Sequence, residues 1–141
     1  MVQEGIGEKV PFAVEVLEQL KKKYKLAIIT NVMPNTNVER IRELLRETEL
    51  LDFFDEIIVS SEVGYNKPAE QIFELALRKL NVKPEEAIMV GNTISTDIFG
   101  GNRIGMKTVL IQKGRVYRGS EWEKADHIIH SLKELLKLPI Y

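Results

Sequence analysis

Four short apolar runs punctuate the chain: Leu26–Thr30 (LAIIT), Glu56–Ser60 (EIIVS), Ala87–Gly91 (AIMVG) and Lys107–Ile111 (KTVLI). Runs of this length, bounded by turn residues and lacking in-out alternation, are the pattern of parallel strands buried on both faces. Between them, apolar residues recur every three or four positions, as on one side of an amphipathic helix. Val10–Lys23 carries Phe12, Val14, Val16, Leu17 and Leu20 among charges, with Pro11 in the first turn and Lys21–Lys23 at the end that favours cations. A second helix follows the turn Met33–Asn37, with Val38, Ile41, Leu44, Leu45 and Thr48 on one side; Thr36 and Glu39 have the spacing of a capping box. Leu50–Phe54 packs the connection to the next strand, Ser61–Asn66 reads as a loop, and Ala69–Leu80 repeats the helical pattern with Ile72, Phe73, Ala76, Leu77 and Leu80. Asn81–Glu86 is a turn, a Gly-rich helical piece follows Asp97, Asp126–His130 fits a short edge strand and Ser131–Leu138 a closing helix. Met1–Lys9 and Gln112–Ala125 are polar and without period.

Strands alternating with helices over short connections predict an α/β fold: a single doubly wound, mostly parallel sheet with helices on both faces, one domain spanning residues 1–141. That length is enough to bury a real core. The formal net charge of −1 gives no general case for nucleic acid or an anionic membrane as partner. No apolar run approaches the roughly 20 residues of a membrane span, and MVQEGIGEKV does not look like a signal peptide. With no cysteine in the chain, disulfides, thiolate metal sites and cysteine nucleophiles are excluded. The expected setting is the cytosol.

Right-handed crossovers bring the carboxyl ends of parallel strands to one edge of the sheet, where open α/β folds bind ligands. Three polar groups gather there: Thr30-Asn31, Lys67, and Asn92 with Asp97 five residues on. A hydroxyl and backbone N–H groups hold phosphate oxygens, a lysine neutralises their charge, and a carboxylate holds Mg²⁺ directly or through water. The constellation suits an anionic, phosphorylated ligand. Each residue taken alone has a plainer reading. Lys67 is then a solvated loop lysine, Thr30 a strand terminator, and Asp97 an acid favoured in a first helical turn. Gly100-Gly101, costly within a helix, points to close backbone packing.

The series IITN, NKPAEQIF and VGNTISTDIFGGNRIGMKTVLI resembles motifs two, three and four of the haloacid dehalogenase-like hydrolase superfamily, mostly phosphatases. The resemblance runs from about Val10 to Leu136. It implies that Thr30 binds the transferring phosphoryl group with Asn31 beside it, and that Lys67 stabilises charge on nucleophile and phosphate. It further implies that Asn92 and Asp97 belong to the magnesium-site motif.

Two departures from the family pattern bear on function. Asn92 stands where the family usually has aspartate, so it brings an amide oxygen without charge and weakens any Mg²⁺ site. The family's nucleophile is an aspartate of an Asp-x-Asp motif on a strand upstream of Thr30, yet no aspartate in this sequence precedes Asp52. Asp52 and Asp55 fall at a structural position of the family pattern. The nucleophile, its central strand and any cap are therefore expected to be absent, and phosphatase turnover on small phosphorylated metabolites is expected to be lost. A non-catalytic phosphate-binding or protein-interaction module on the same fold remains open, as does a minor metal-independent dehalogenase reading. Absence of the central strand leaves the strands ending at Thr30 and Gly91 either paired directly or flanking a gap, and predicts a homo-oligomer or a complementing polypeptide.

Overall fold

The computed structural model describes residues 12–112 and 123–139. The calls on Val10-Pro11, on the loose start Met1–Lys9 and on most of the polar stretch after Gln112 lie outside them. Helix α1 (Ala13–Lys21) leads to β1 (Ala27–Thr30), α2 (Val38–Glu47), a 3-10 turn (Leu51–Phe53) and β2 (Glu56–Val59). A one-turn helix α3 (Ser60–Val63) follows, where a loop is expected, and then α4 (Glu70–Leu80). After β3 (Ile88–Gly91) comes a π-helical turn (Ile94–Ile98) that continues as α5 (Phe99–Arg103), β4 (Lys107–Ile111) and β5 (His127–Ile129). The closing segment, Leu132–Lys137, is 3-10 rather than α-helical. Its capping box is Ser131 with Glu134, whose carboxylate takes the N–H groups of His130 and Ser131 and is held below its usual range by them.

All ladders are parallel, but they form two sheets rather than one. β1 pairs β2 from Ala27↔Glu56 to Thr30↔Val59. β3 pairs β4 from Ile88↔Lys107 to Gly91↔Leu110, and β5 adds to the far side of β4. Among the described residues β1 and β3 share no ladder. Of the two outcomes expected for a missing central strand, direct pairing is the one not found. What joins the sheets is helix packing. On one face α4 lays Ile72, Phe73, Ala76 and Leu77 across Ile29 and Ile58 of the first sheet and Met89 of the second. On the other face α1 and the closing turn cover Val90, Val109 and Ile129, while α2 covers Ile28 and Val59. Neighbouring residues of one strand thus enter different clusters, as the pleat requires.

Gly100 and Gly101 lie where the helix meets this core. A Cβ on Gly100 would fall 2.3 Å from the Phe73 ring, and one on Gly101 2.8 Å from the Thr108 methyl, so close packing is their role. Two expectations at helix starts need correction. The cap of α2 is Asn37, one residue beyond Thr36; its side chain accepts from Arg40 N at 3.2 Å, and Glu62 of α3 accepts Val38 N at 2.5 Å. Asn ranks above Thr as a cap, and Glu39 instead faces Arg42 at 3.6 Å. Phe12 is not on the buried side of α1: it is 48% exposed in a left-handed conformation, with the Lys133 ammonium 4.9 Å from its ring centre.

Asp55 ties α1, β1 and β2 together. Its carboxylate accepts from Lys21 Nζ at 2.6 Å and from Leu26 N at 2.8 Å, while its own N–H donates to Leu26 O at 2.7 Å. The Lys21 hydrogen bond, more than partial burial can offset, holds the carboxyl below its ordinary 3.8. A folded-state value below the unfolded one means that the contribution is complete above the unfolded value and is lost as pH falls through the folded one. Asp55→Ala should lower stability by about 1 kcal/mol at neutral pH. In acid denaturation series the gap to the parent chain should close as pH drops below 3.8.

Candidate functional site

β1 ends at Thr30, which is buried, and the chain turns out through exposed Asn31. Asn31 reaches across to the segment before α4 and clamps Lys67 by its backbone. Asn31 Oδ1 accepts from Lys67 N at 2.8 Å, and Asn31 Nδ2 donates to Lys67 O at 3.2 Å. The following peptide, Lys67-Pro68, is cis, and Arg103 of α5 donates to Pro68 O at 3.3 Å. Thus held, the Lys67 side chain runs inward and is 4% exposed, the opposite of a solvated loop lysine.

Its ammonium donates to Asp97 Oδ1 at 2.8 Å, and the Asp97 side chain is fully buried. Asp97 sits in the π-helical turn after β3, and its other oxygen accepts from Thr93 N at 3.4 Å. Gly91 makes room for it: a Cβ there would lie 2.2 Å from Asp97 Oδ2. The site therefore joins three segments distant in sequence, the end of β1, the approach to α4 and the turn after β3. Asn92 is exposed at the rim, its Oδ1 accepting from Thr93 Oγ1 at 2.9 Å.

The sequence-predicted residues Asn31, Lys67 and Asp97 are thus linked by direct hydrogen bonds, Thr30 adjoins them at the strand end, and Asn92 joins through Thr93. Gly91, Thr93 and Arg103 were not singled out. A Gly before a polar strand end is a visible signal for the first; the other two act through a backbone N–H donor and a long-range bond to a carbonyl, which residue type does not reveal. Ser60, also missed, fixes the neighbouring strand end by accepting Val32 N at 2.8 Å.

Mg²⁺ takes about six oxygen ligands in near-octahedral geometry. Here the donor set is one neutral amide, Asn92, and one carboxylate whose charge Lys67 already balances. Among the described residues no group of three acidic or His side chains stands ready for a metal. Asn92 and Asp97 alone do not make a magnesium site.

A parallel α/β layer with a cation and polar groups at its strand ends defines the class of open-sheet proteins that handle anionic ligands at that edge. The model for haloacid dehalogenase-like hydrolases matches residues 7–111. A glyceraldehyde 3-phosphate phosphatase of Pyrococcus furiosus is 42% identical over 133 residues, which are 92% of this chain and 54% of that protein. A ribulose-1,5-bisphosphate 5-phosphatase of Halopiger xanaduensis is 34% identical, with 92% of this chain and 56% of that protein covered. Among solved structures, a HAD phosphatase from Thermococcus onnurineus superposes with a TM-score of 0.76 at 37% identity, covering 90% of this chain and 56% of that one. The chain belongs to the haloacid dehalogenase-like hydrolase family. It spans about half the length of the curated relatives it matches.

The buried pair makes a sharp prediction. Removing one member of a buried ion pair strands the other charge, at a cost of about 3–5 kcal/mol. Lys67→Met and Asp97→Asn should each show a large loss in urea unfolding. The double variant should be more stable than the sum of the two losses implies, by at least about 1 kcal/mol.

Proposed function

We propose that this chain is the phosphate-holding part of a haloacid dehalogenase-like phosphatase for small phosphorylated metabolites, and that by itself it binds phosphate without turning substrate over. The observation that carries the reading is Lys67, a cation fixed inside the protein at the strand-end edge by Asn31 and Asp97. An ammonium donates up to three hydrogen bonds, and a positioned cation is what a phosphoryl group developing or redistributing charge requires. Thr30 would add its hydroxyl beside Asn31. The named activities of the relatives, on glyceraldehyde 3-phosphate, ribulose bisphosphate and pyrophosphate, support a small phosphorylated ligand. Magnesium belongs to this reading only with oxygen ligands from outside the residues above, and it would then offset phosphate charge.

Turnover fails for want of a nucleophile. Attack on phosphorus needs an oxygen nucleophile and a group to protonate the leaving alkoxide. In the family pattern an aspartate pair supplies both, and no aspartate in this sequence precedes Asp52. The dehalogenase reading needs the same aspartate. If phosphate does not bind, the remaining reading is an interaction module on the same scaffold.

Inorganic phosphate at millimolar concentration should raise the melting temperature through preferential binding to the native state. Thr30→Val should reduce that shift without unfolding the chain. With glyceraldehyde 3-phosphate and magnesium, phosphate release should stay at background. Magnesium-dependent release abolished by Lys67→Ala would overturn the inactive reading.

A further inference from the structure

The space between the two sheets is a formed slot. A cavity of about 330 Å³ runs between β1 and β3, walled by Ala27 and Ile29 on one side and Ile88 and Val90 on the other. Leu20 of α1 and Phe73 of α4 close its two faces. We propose that this slot is a receptor for one extended apolar strand supplied from outside this sequence. The strand enters parallel to β1 and β3 and joins the two sheets into one.

The backbone argues first. Among the described residues β1 is laddered only to β2, and on its other side β3 only to β4. Each therefore turns a second edge, with alternate N–H and C=O groups, into an apolar space. Peptide groups removed from water seek partners, and an unpaired edge is a template for an added strand. Two such edges facing each other select for a strand that bonds on both sides, which an apolar small molecule cannot do.

Direction and composition follow from the surroundings. Both flanking strands end at the same cluster, β1 through Asn31 to Lys67 and β3 through the turn that carries Asp97. They run the same way, so the occupant parallel to both emerges beside Thr30 and Lys67. Its side chains alternate between the α1 face and the α4 face. Both faces are apolar, so it is a continuous apolar run of about five residues, rich in β-branched side chains. This sequence has no such run to spare. Residues 1–11, 113–122 and 140–141 contain no four consecutive apolar residues, and the apolar runs elsewhere already lie in ladders. A second copy of the chain is excluded as occupant on the same ground.

The probe is a synthetic peptide of two lysines followed by five alternating valines and isoleucines, added to the full chain without phosphate. The melting temperature should rise by several degrees. Hydrogen exchange at the amides of Ala27–Thr30 and Ile88–Gly91 should slow at least tenfold. The same peptide with proline at its centre lacks a donor and a compatible backbone and should do neither. Ala76→Phe, which projects a ring into the slot, should abolish the peptide effect. Any of three results overturns the proposal: no shift at millimolar peptide, equal shifts with the proline peptide, or a monomer by sedimentation whose β1 and β3 amides are already fully protected. The peptide and proline comparison on the parent chain stands whether or not the Ala76 variant folds, and a failure of phosphate binding leaves it untouched.

Discussion

Lys67 and Asp97 meet in a place where neither charge has water to solvate it, and the surroundings are arranged to make that tolerable. Desolvating two ions costs several kcal/mol each, and attraction recovers it only with good geometry and further hydrogen bonds. The chain provides both. Asn31 fixes the Lys67 backbone from two sides, Gly91 lets the Asp97 carboxylate approach β3, and Thr93 N supplies the second oxygen. The consequence is positional. One bond of 2.8 Å connects the loop clamped to the first sheet with the turn that leaves the second. Since no ladder joins those sheets among the described residues, the relative placement of Thr30 and Asn92 depends on this pair and on the helices.

The helices carry the remainder. A strand ladder would align β1 and β3 through backbone bonds; here the alignment comes from side chains that touch both. Phe73 serves this role on α4, fully buried between Ile29 and Met89, and Gly100 is the residue whose missing Cβ lets its ring lie there. Hydrophobic packing is non-directional, so it holds the two sheets near each other without closing the slot between them. The directional contacts, Asn31 to Lys67 and Lys67 to Asp97, are placed only at the mouth of that slot.

Most of this architecture was legible in the sequence. Strands buried on both faces lose the in-out alternation and become apolar runs, and those runs located all four long strands to within a residue. The capping error at Thr36 arose because the capping-box spacing and the intrinsic preference of Asn37 pointed to adjacent residues, and the contact that supports Asn37 comes from Glu62, far along the chain. The closing helix tightened to 3-10 because Leu132 and Leu135, three apart, are its buried pair. The α3 turn was missed because SSEV carries no apolar period. At the site, residue types and their order at strand ends pointed to Thr30, Asn31, Lys67, Asn92 and Asp97. That Lys67 is buried and bound to Asp97 was not legible, because the same residue types suit an exposed loop and a helix N-terminus. Only the fold decides between those settings.

The slot and the polar cluster share one mouth, which ties the two properties of the molecule together. Whatever occupies the slot as a strand ends among Thr30, Lys67 and the turn after β3, within the set of groups that would hold a phosphoryl ligand. A strand that fixes the separation of β1 and β3 also fixes the separation of Thr30 from Asn92. Ordering these groups once serves both ligands, so each binding event lowers the entropic cost of the other. Linkage then makes the effect reciprocal in free energy. In a sheet closed by a ladder the cluster would be rigid and no such coupling would arise. Here it follows from a single constraint, that packing rather than hydrogen bonding spans the centre of the fold.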